Sequence, residues 1–131
     1  MKRRTALLYV IVSCVAGVMI LLFGRQSREE GWANEYNYVL HVAAGFILAF
    51  FFFGLAACVK PSWCEHSRVR TGVFLLVMCV GVGWEILEYF SSGQGILWMV
   101  IGGSLDTALD LICDAAGGIV GLKLITIFQK K

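Results

Sequence analysis

Three aspartates stand four residues apart in the segment GGSLDTALDLICDAAGG, at Asp106, Asp110 and Asp114. On a helix, residues i, i+4 and i+8 share one slowly drifting stripe. The acids would therefore face one way from a segment otherwise made of Leu, Ile, Ala and Gly. Glu85 and Glu88 share a face at i, i+3, and His41 is the one imidazole of a long uncharged stretch. Carboxylates gathered this way can hold a cation: oxygen ligands suit Mg, Ca or Mn, while an added imidazole suits Zn or Fe. They can equally share protons among themselves or pair with a cationic group of a ligand. A divalent metal ion is the cofactor such a set admits. No nucleophile accompanies it.

These residues have to be positioned by elements, and the composition says of what kind. The hydrophobic fraction is 59% and the charged fraction 15%, outside the usual range of soluble globular chains. Ala6–Gly24 is uncharged over 19 residues and Tyr38–Val59 over 22, and Thr71–Trp84 is apolar up to Glu85. Each is long enough, or nearly so, to cross about 30 Å of hydrocarbon as a helix. A fourth apolar stretch, Leu105–Phe128, carries the three aspartates and Lys123. The expected fold is all-α, one polytopic transmembrane domain over 1–131 with spans at about 6–24, 37–59, 70–90 and 105–127. The segment GILWMVIGG, Gly95–Gly103, is too short to span and reads as an interfacial or re-entrant piece before the last helix.

Lys and Arg concentrate on the cytoplasmic side of membrane proteins. With both termini inside, that side holds Lys2, Arg3, Arg4, Lys60, Arg68, Arg70, Lys130 and Lys131, and the outer side only Arg25 and Arg28. This orientation places Glu85, Glu88, Asp106 and Asp110 in the outer parts of their helices. At about 1.5 Å rise per residue, His41, Glu85 and Asp110 each come roughly 7 Å below the outer rim. Three helices contribute polar groups at one depth. A carboxylate inside a bilayer costs roughly 2.5–3.5 kcal/mol on insertion scales. Five acids in or beside spans therefore require a reason.

Simpler readings stand beside this one. His41 could be a hydrogen-bonded packing residue, and Glu88 and Asp106 lie near enough to the rim to be solvated. Asp106 or Ser104 could cap the last helix. Gly45, one turn beyond His41, leaves room beside the imidazole, and Gly81, Gly117 and Gly121 would let helices approach closely. Trp32, Tyr36, Tyr38 and Trp98 read as an outer interfacial belt, and Phe50–Phe53 as lipid-facing or core packing. The opening MKRRTALLYVIVSC resembles a signal peptide with a small-residue box before Cys14. The apolar run continues unbroken to Phe23, however, so a retained first helix is expected. The five cysteines form no CxxC pair, and Cys64 with His66 offers only a weak metal motif. No basic, aromatic-interleaved face invites nucleic acid.

The ordered motifs resemble a family of small bacterial inner-membrane proteins. YNYVLHVAAGF resembles the DK-x-x-H-x-x-x-G segment of VanZ-like and YjdF-like proteins, with Asn37 and Tyr38 where the pattern has Asp and Lys. GVGWEILEYF resembles their W/Y-E-x-x-E helix, and LDTALDLICDAAGGIVG their closing D-x-x-x-D-x-x-x-[ND]-x-x-G-A-x-x-G segment. The resemblance implies a polytopic protein of the bacterial inner (cytoplasmic) membrane. For the VanZ-like branch it also implies a role in glycopeptide (teicoplanin) resistance at the cell envelope.

Three functions compete. The first is an envelope protein whose outward-facing site of His41, Glu85, Glu88, Asp106, Asp110 and Asp114 binds a cation, a lipid head group or a lipid-linked envelope precursor. The second is a metal-dependent enzyme acting on an outer-leaflet lipid phosphate, since DxxxD acids on membrane helices elsewhere hold Mg²⁺ on a diphosphate. That chemistry wants basic phosphate ligands, and the outer side offers only Arg25 and Arg28. The third is an ion- or proton-coupled carrier, which with four helices requires a homo-oligomer to build a path. The first is the expectation carried forward.

Overall fold

A computed structural model describes residues 3–29, 33–91 and 104–129. They form four helices, α1 (Arg3–Glu29), α2 (Ala33–Val59), α3 (Ser67–Ser91) and α4 (Ser104–Gln129), with a 3₁₀ turn over Pro61–Glu65. Each contains an apolar stretch fit to cross a membrane: Arg3–Phe23, Tyr36–Val59, Ser67–Phe90 and Leu105–Gln129. The shortest of these, at 21 residues, spans roughly 31 Å as a helix. The all-helical, four-span architecture expected from the sequence is the one observed. The helices themselves outrun the expected spans, α1 reaching Glu29 and α3 starting at Ser67. Hydropathy marks where hydrocarbon ends; a helix continues into polar flanks until something breaks it. The segment at 95–103, Trp32 and Trp98 lie outside the described residues.

What breaks α2 is the single proline. Pro61 disfavours helical geometry in the residue before it, and Lys60 is extended at φ −147°, ψ 97°. The turn closes through Trp63 N–H to the Lys60 carbonyl and His66 N–H to the Trp63 carbonyl, both 3.0 Å. The Lys60 ammonium lies 5.6 Å from the centre of the Trp63 ring. This tight connection makes α2 and α3 antiparallel neighbours. It also turns Cys64 inward, where it is buried against Phe53, Val73 and Ile125 while His66 stays exposed. The Cys64–His66 metal motif is thereby corrected: its two side chains point to different environments. Burial in this apolar setting pushes the Cys64 thiol pKa up.

Helix α2 is the centre of the bundle, packed most extensively against α4 and α1, with α3 resting on α4 and α2. Lipid is as apolar as leucine, so close backbone approach rather than water expulsion joins helices here. The α2–α4 contact is the closest. A Cβ at Gly117 would collide with the Val42 carbonyl oxygen, and one at Gly121 would crowd Ala49. The Phe50–Phe53 run divides its work: Phe53 is fully buried, and Phe50 and Phe52 pack beside it. Helix α1 contributes Ala6 and Tyr9 to this core and exposes a long apolar face that includes Leu7, Ile11, Val15 and Met19. Thr126 Oγ1 donates to the Leu122 carbonyl at 2.8 Å, so this hydroxyl is satisfied inside its own helix.

Candidate functional site

Antiparallel neighbours in an up-down bundle leave α2 and α4 parallel, and their polar residues meet in a fixed register. Asn37 reaches Asp110 and His41 reaches Asp114, each pair 73 residues apart in sequence. One turn on, a Cβ at Gly45 would strike the Asp114 backbone carbonyl. The residues 37, 41 and 45 on α2, spaced by one turn, thus lie along α4 beside its own one-turn series of acids. Gly45 does not open space beside the imidazole, as its position suggested. Its missing side chain is what admits the α4 backbone.

Four polar side chains are buried together. His41 is 7% exposed, Glu85 9%, Asp110 2% and Asp114 3%. His41 Nδ1 lies 3.3 Å from Asp114 Oδ1, and Nε2 lies 3.5 Å from Asp110 Oδ2 and 4.0 Å from Glu85 Oε1. The imidazole of α2 therefore sits among carboxylates from α3 and α4. The Asn37 amide donates to both Asp110 oxygens, at 3.0 and 2.9 Å, fixing that carboxylate from the opposite side. Room for Asp114 comes from α3, because a Cβ at Gly81 would stand 2.5 Å from Asp114 Oδ2.

The cluster is short of donors. Three carboxylates face one imidazole, so with all three ionised negative charge would remain in excess even with His41 protonated. Among the described residues the ion pairs of Glu85, Asp110 and Asp114 are all with His41. Thr107 lies beside the Glu85 carboxylate, yet Glu85 Oε1 is buried without a hydrogen-bond partner. A buried, unpartnered carboxylate oxygen is costly, and partly buried acids repel one another unless a cation or a proton intervenes. One ligand atom each from His41, Glu85 and Asp110 lies within 4.8 Å of the others, a spacing that a metal ion can bridge.

The six expected residues divide into two layers. His41, Glu85, Asp110 and Asp114 come together. Asp106 is exposed and accepts a 3.3 Å hydrogen bond from the Tyr38 hydroxyl, and Glu88 is exposed one turn beyond Glu85. Two partners escaped sequence reasoning. Asn37 looked like a mere departure from an acidic pattern, and Tyr38 like a belt aromatic. Their one available signal was sequence position, four and three residues before His41 on the same helix.

Over residues 4–131 the chain matches the model of DUF2238, described as a predicted membrane protein, and it belongs to that family. No match is found among curated proteins or solved structures.

Proposed function

We propose that this member of the family is a multi-pass protein of the bacterial inner membrane that holds a divalent cation in a buried site near the external face. There it would present the ion to a lipid head group or a lipid-linked envelope precursor. The observation that carries the cation is Glu85 Oε1, buried without a hydrogen-bond partner in a cluster whose carboxylates outnumber its imidazole. A divalent ion would satisfy that oxygen and offset the charge excess in one step. The outward placement rests on the Lys and Arg asymmetry, which favours the 60–70 connection and both termini inside. The envelope setting is supported by the resemblance of the His41, Glu85 and Asp110 segments to those of VanZ-like and YjdF-like proteins. An enzyme acting on lipid phosphate would want cationic side chains at the site, and the described residues bring no Lys or Arg into these ion pairs.

The test is metal content after purification in detergent, chelator treatment and dialysis against mixed Mg²⁺, Ca²⁺, Mn²⁺ and Zn²⁺. Wild-type protein should retain one divalent cation per chain and Asp110→Ala should retain none, with unchanged membrane insertion. Wild-type protein that holds no ion, or a variant that holds as much, would refute the reading.

A further inference from the structure

We infer that the cation is a borderline transition metal such as Zn²⁺ or Fe²⁺, bound through His41 Nε2, Asp110 and Glu85, with Asp114 orienting the imidazole from behind. This rests on the cation reading above and narrows it to a chemistry.

The two ring nitrogens of His41 face different surroundings. Among the described residues, Nδ1 pairs with Asp114 Oδ1 at 3.3 Å. Nε2 faces two carboxylate oxygens, at 3.5 and 4.0 Å, neither close enough for a good hydrogen bond. A neutral imidazole carries one N–H and one lone pair. Placing the N–H on Nδ1 satisfies Asp114 and turns the Nε2 lone pair toward Asp110 and Glu85. A lone pair directed at two anions is repulsive unless a proton or a metal ion lies between them. The carboxylate behind the ring is the arrangement that fixes the tautomer and orientation of metal-binding histidines.

The separations suit an ion of that size. Ligands about 2.1 Å from a tetrahedral centre lie roughly 3.4 Å from one another. The Nε2 to Asp110 distance of 3.5 Å already matches, and Glu85, 4.0 Å from Nε2 and within 4.8 Å of the Asp110 oxygen, has to close about 0.6 Å on the first and up to about 1.4 Å on the second. Glu85 is free to do so on the side that matters, because Oε1 has no hydrogen bond to break. It is also more than nine-tenths buried, at 9% exposed, which sets it apart from a solvated acid that merely lies nearby. Calcium fits less well. It takes 6–8 oxygen ligands, whereas the converging donors here are one imidazole nitrogen and one oxygen each from Asp110 and Glu85. An imidazole among few oxygens selects for Zn or Fe over Ca, Mg and Mn.

The experiment compares Zn²⁺ with Ca²⁺ on the full chain in detergent, by equilibrium dialysis and by X-ray absorption at the zinc edge. Zinc should bind one per chain, at least about 100-fold more tightly than calcium, with outer-shell scattering from one imidazole. His41→Gln should remove that scattering and the preference for zinc. Asp114→Asn should keep the scattering but weaken zinc binding by about 10–100-fold, the effect of losing an orienting partner. Calcium binding equal to zinc, or a zinc shell made of oxygen alone, would overturn the transition-metal assignment and leave the cation reading standing. Failure of wild-type protein to bind any divalent ion would overturn both. Should the variants fail to fold, the wild-type affinity ratio and spectrum still decide.

Discussion

The two halves of α2 bury side chains equally well and for opposite reasons. Toward its C-terminal end, Phe53 and Ala57 pack with Ala6, Val73 and Ile125, all at 3% exposure or less. Toward its N-terminal end, His41 is buried with Glu85, Asp110 and Asp114, between 2% and 9% exposed. In the first half every buried atom has what it needs, since methyl and ring surfaces require only contact. In the second, contact is not enough: carboxylates and an imidazole need partners of the right charge and geometry, and one oxygen lacks any. Burial alone therefore does not distinguish structural from functional regions in this bundle. The count of unmet polar valences does.

If the apolar half is purely structural, damage to it should cost stability and spare binding. Phe53→Ala vacates roughly 100 Å³, which at roughly 24 cal/mol per Å³ of cavity destabilises the bundle by about 2–3 kcal/mol. Thermal unfolding in detergent should show this as the largest stability loss among the substitutions considered. Metal bound per folded chain should stay at the wild-type level. Loss of metal at temperatures where the variant is still folded would show that the two halves are coupled. Glu85→Gln tests the other half and should behave in the reverse sense. It removes a buried negative charge whose Oε1 has no hydrogen-bond partner, so the metal-free protein should gain on the order of 1 kcal/mol. Zinc affinity should fall by tenfold or more at the same time. A variant that loses stability with metal absent would mean that Glu85 is held by its surroundings and is not waiting for an ion.

The same division explains what the sequence revealed. Two helices were legible because uncharged runs of about 20 residues admit few other structures, and two more because their apolar stretches are long enough once the acids of α3 and α4 are admitted. The shared depth of His41, Glu85 and Asp110 was legible from helix rise and direction alone. Partnership was not. Asn37 meets Asp110 because α2 and α4 run parallel with an offset of 73 residues, and no local pattern in either helix encodes that offset. Gly45 shows the same limit: its lack of a side chain was visible, but whether that space holds a ligand or the backbone at Asp114 depends on which helix arrives there. Cys64 shows a related limit: its burial depends on a short 3₁₀ turn that folds it under.

Where the polar half stops is the remaining boundary, and Tyr38 marks it. Its hydroxyl donates to Asp106 at 3.3 Å with both residues exposed, so water can replace either partner. Tyr38→Phe should therefore change stability by less than about 0.5 kcal/mol and leave zinc affinity within about twofold. Asn37→Leu would not be an equivalent change, because Asn37 holds an Asp110 carboxylate that is 2% exposed and water cannot take over its two hydrogen bonds there. A tenfold loss of zinc in Tyr38→Phe would move the boundary outward. Asp106 would then belong to the ion's surroundings, and the site would begin at the rim rather than one turn beneath it.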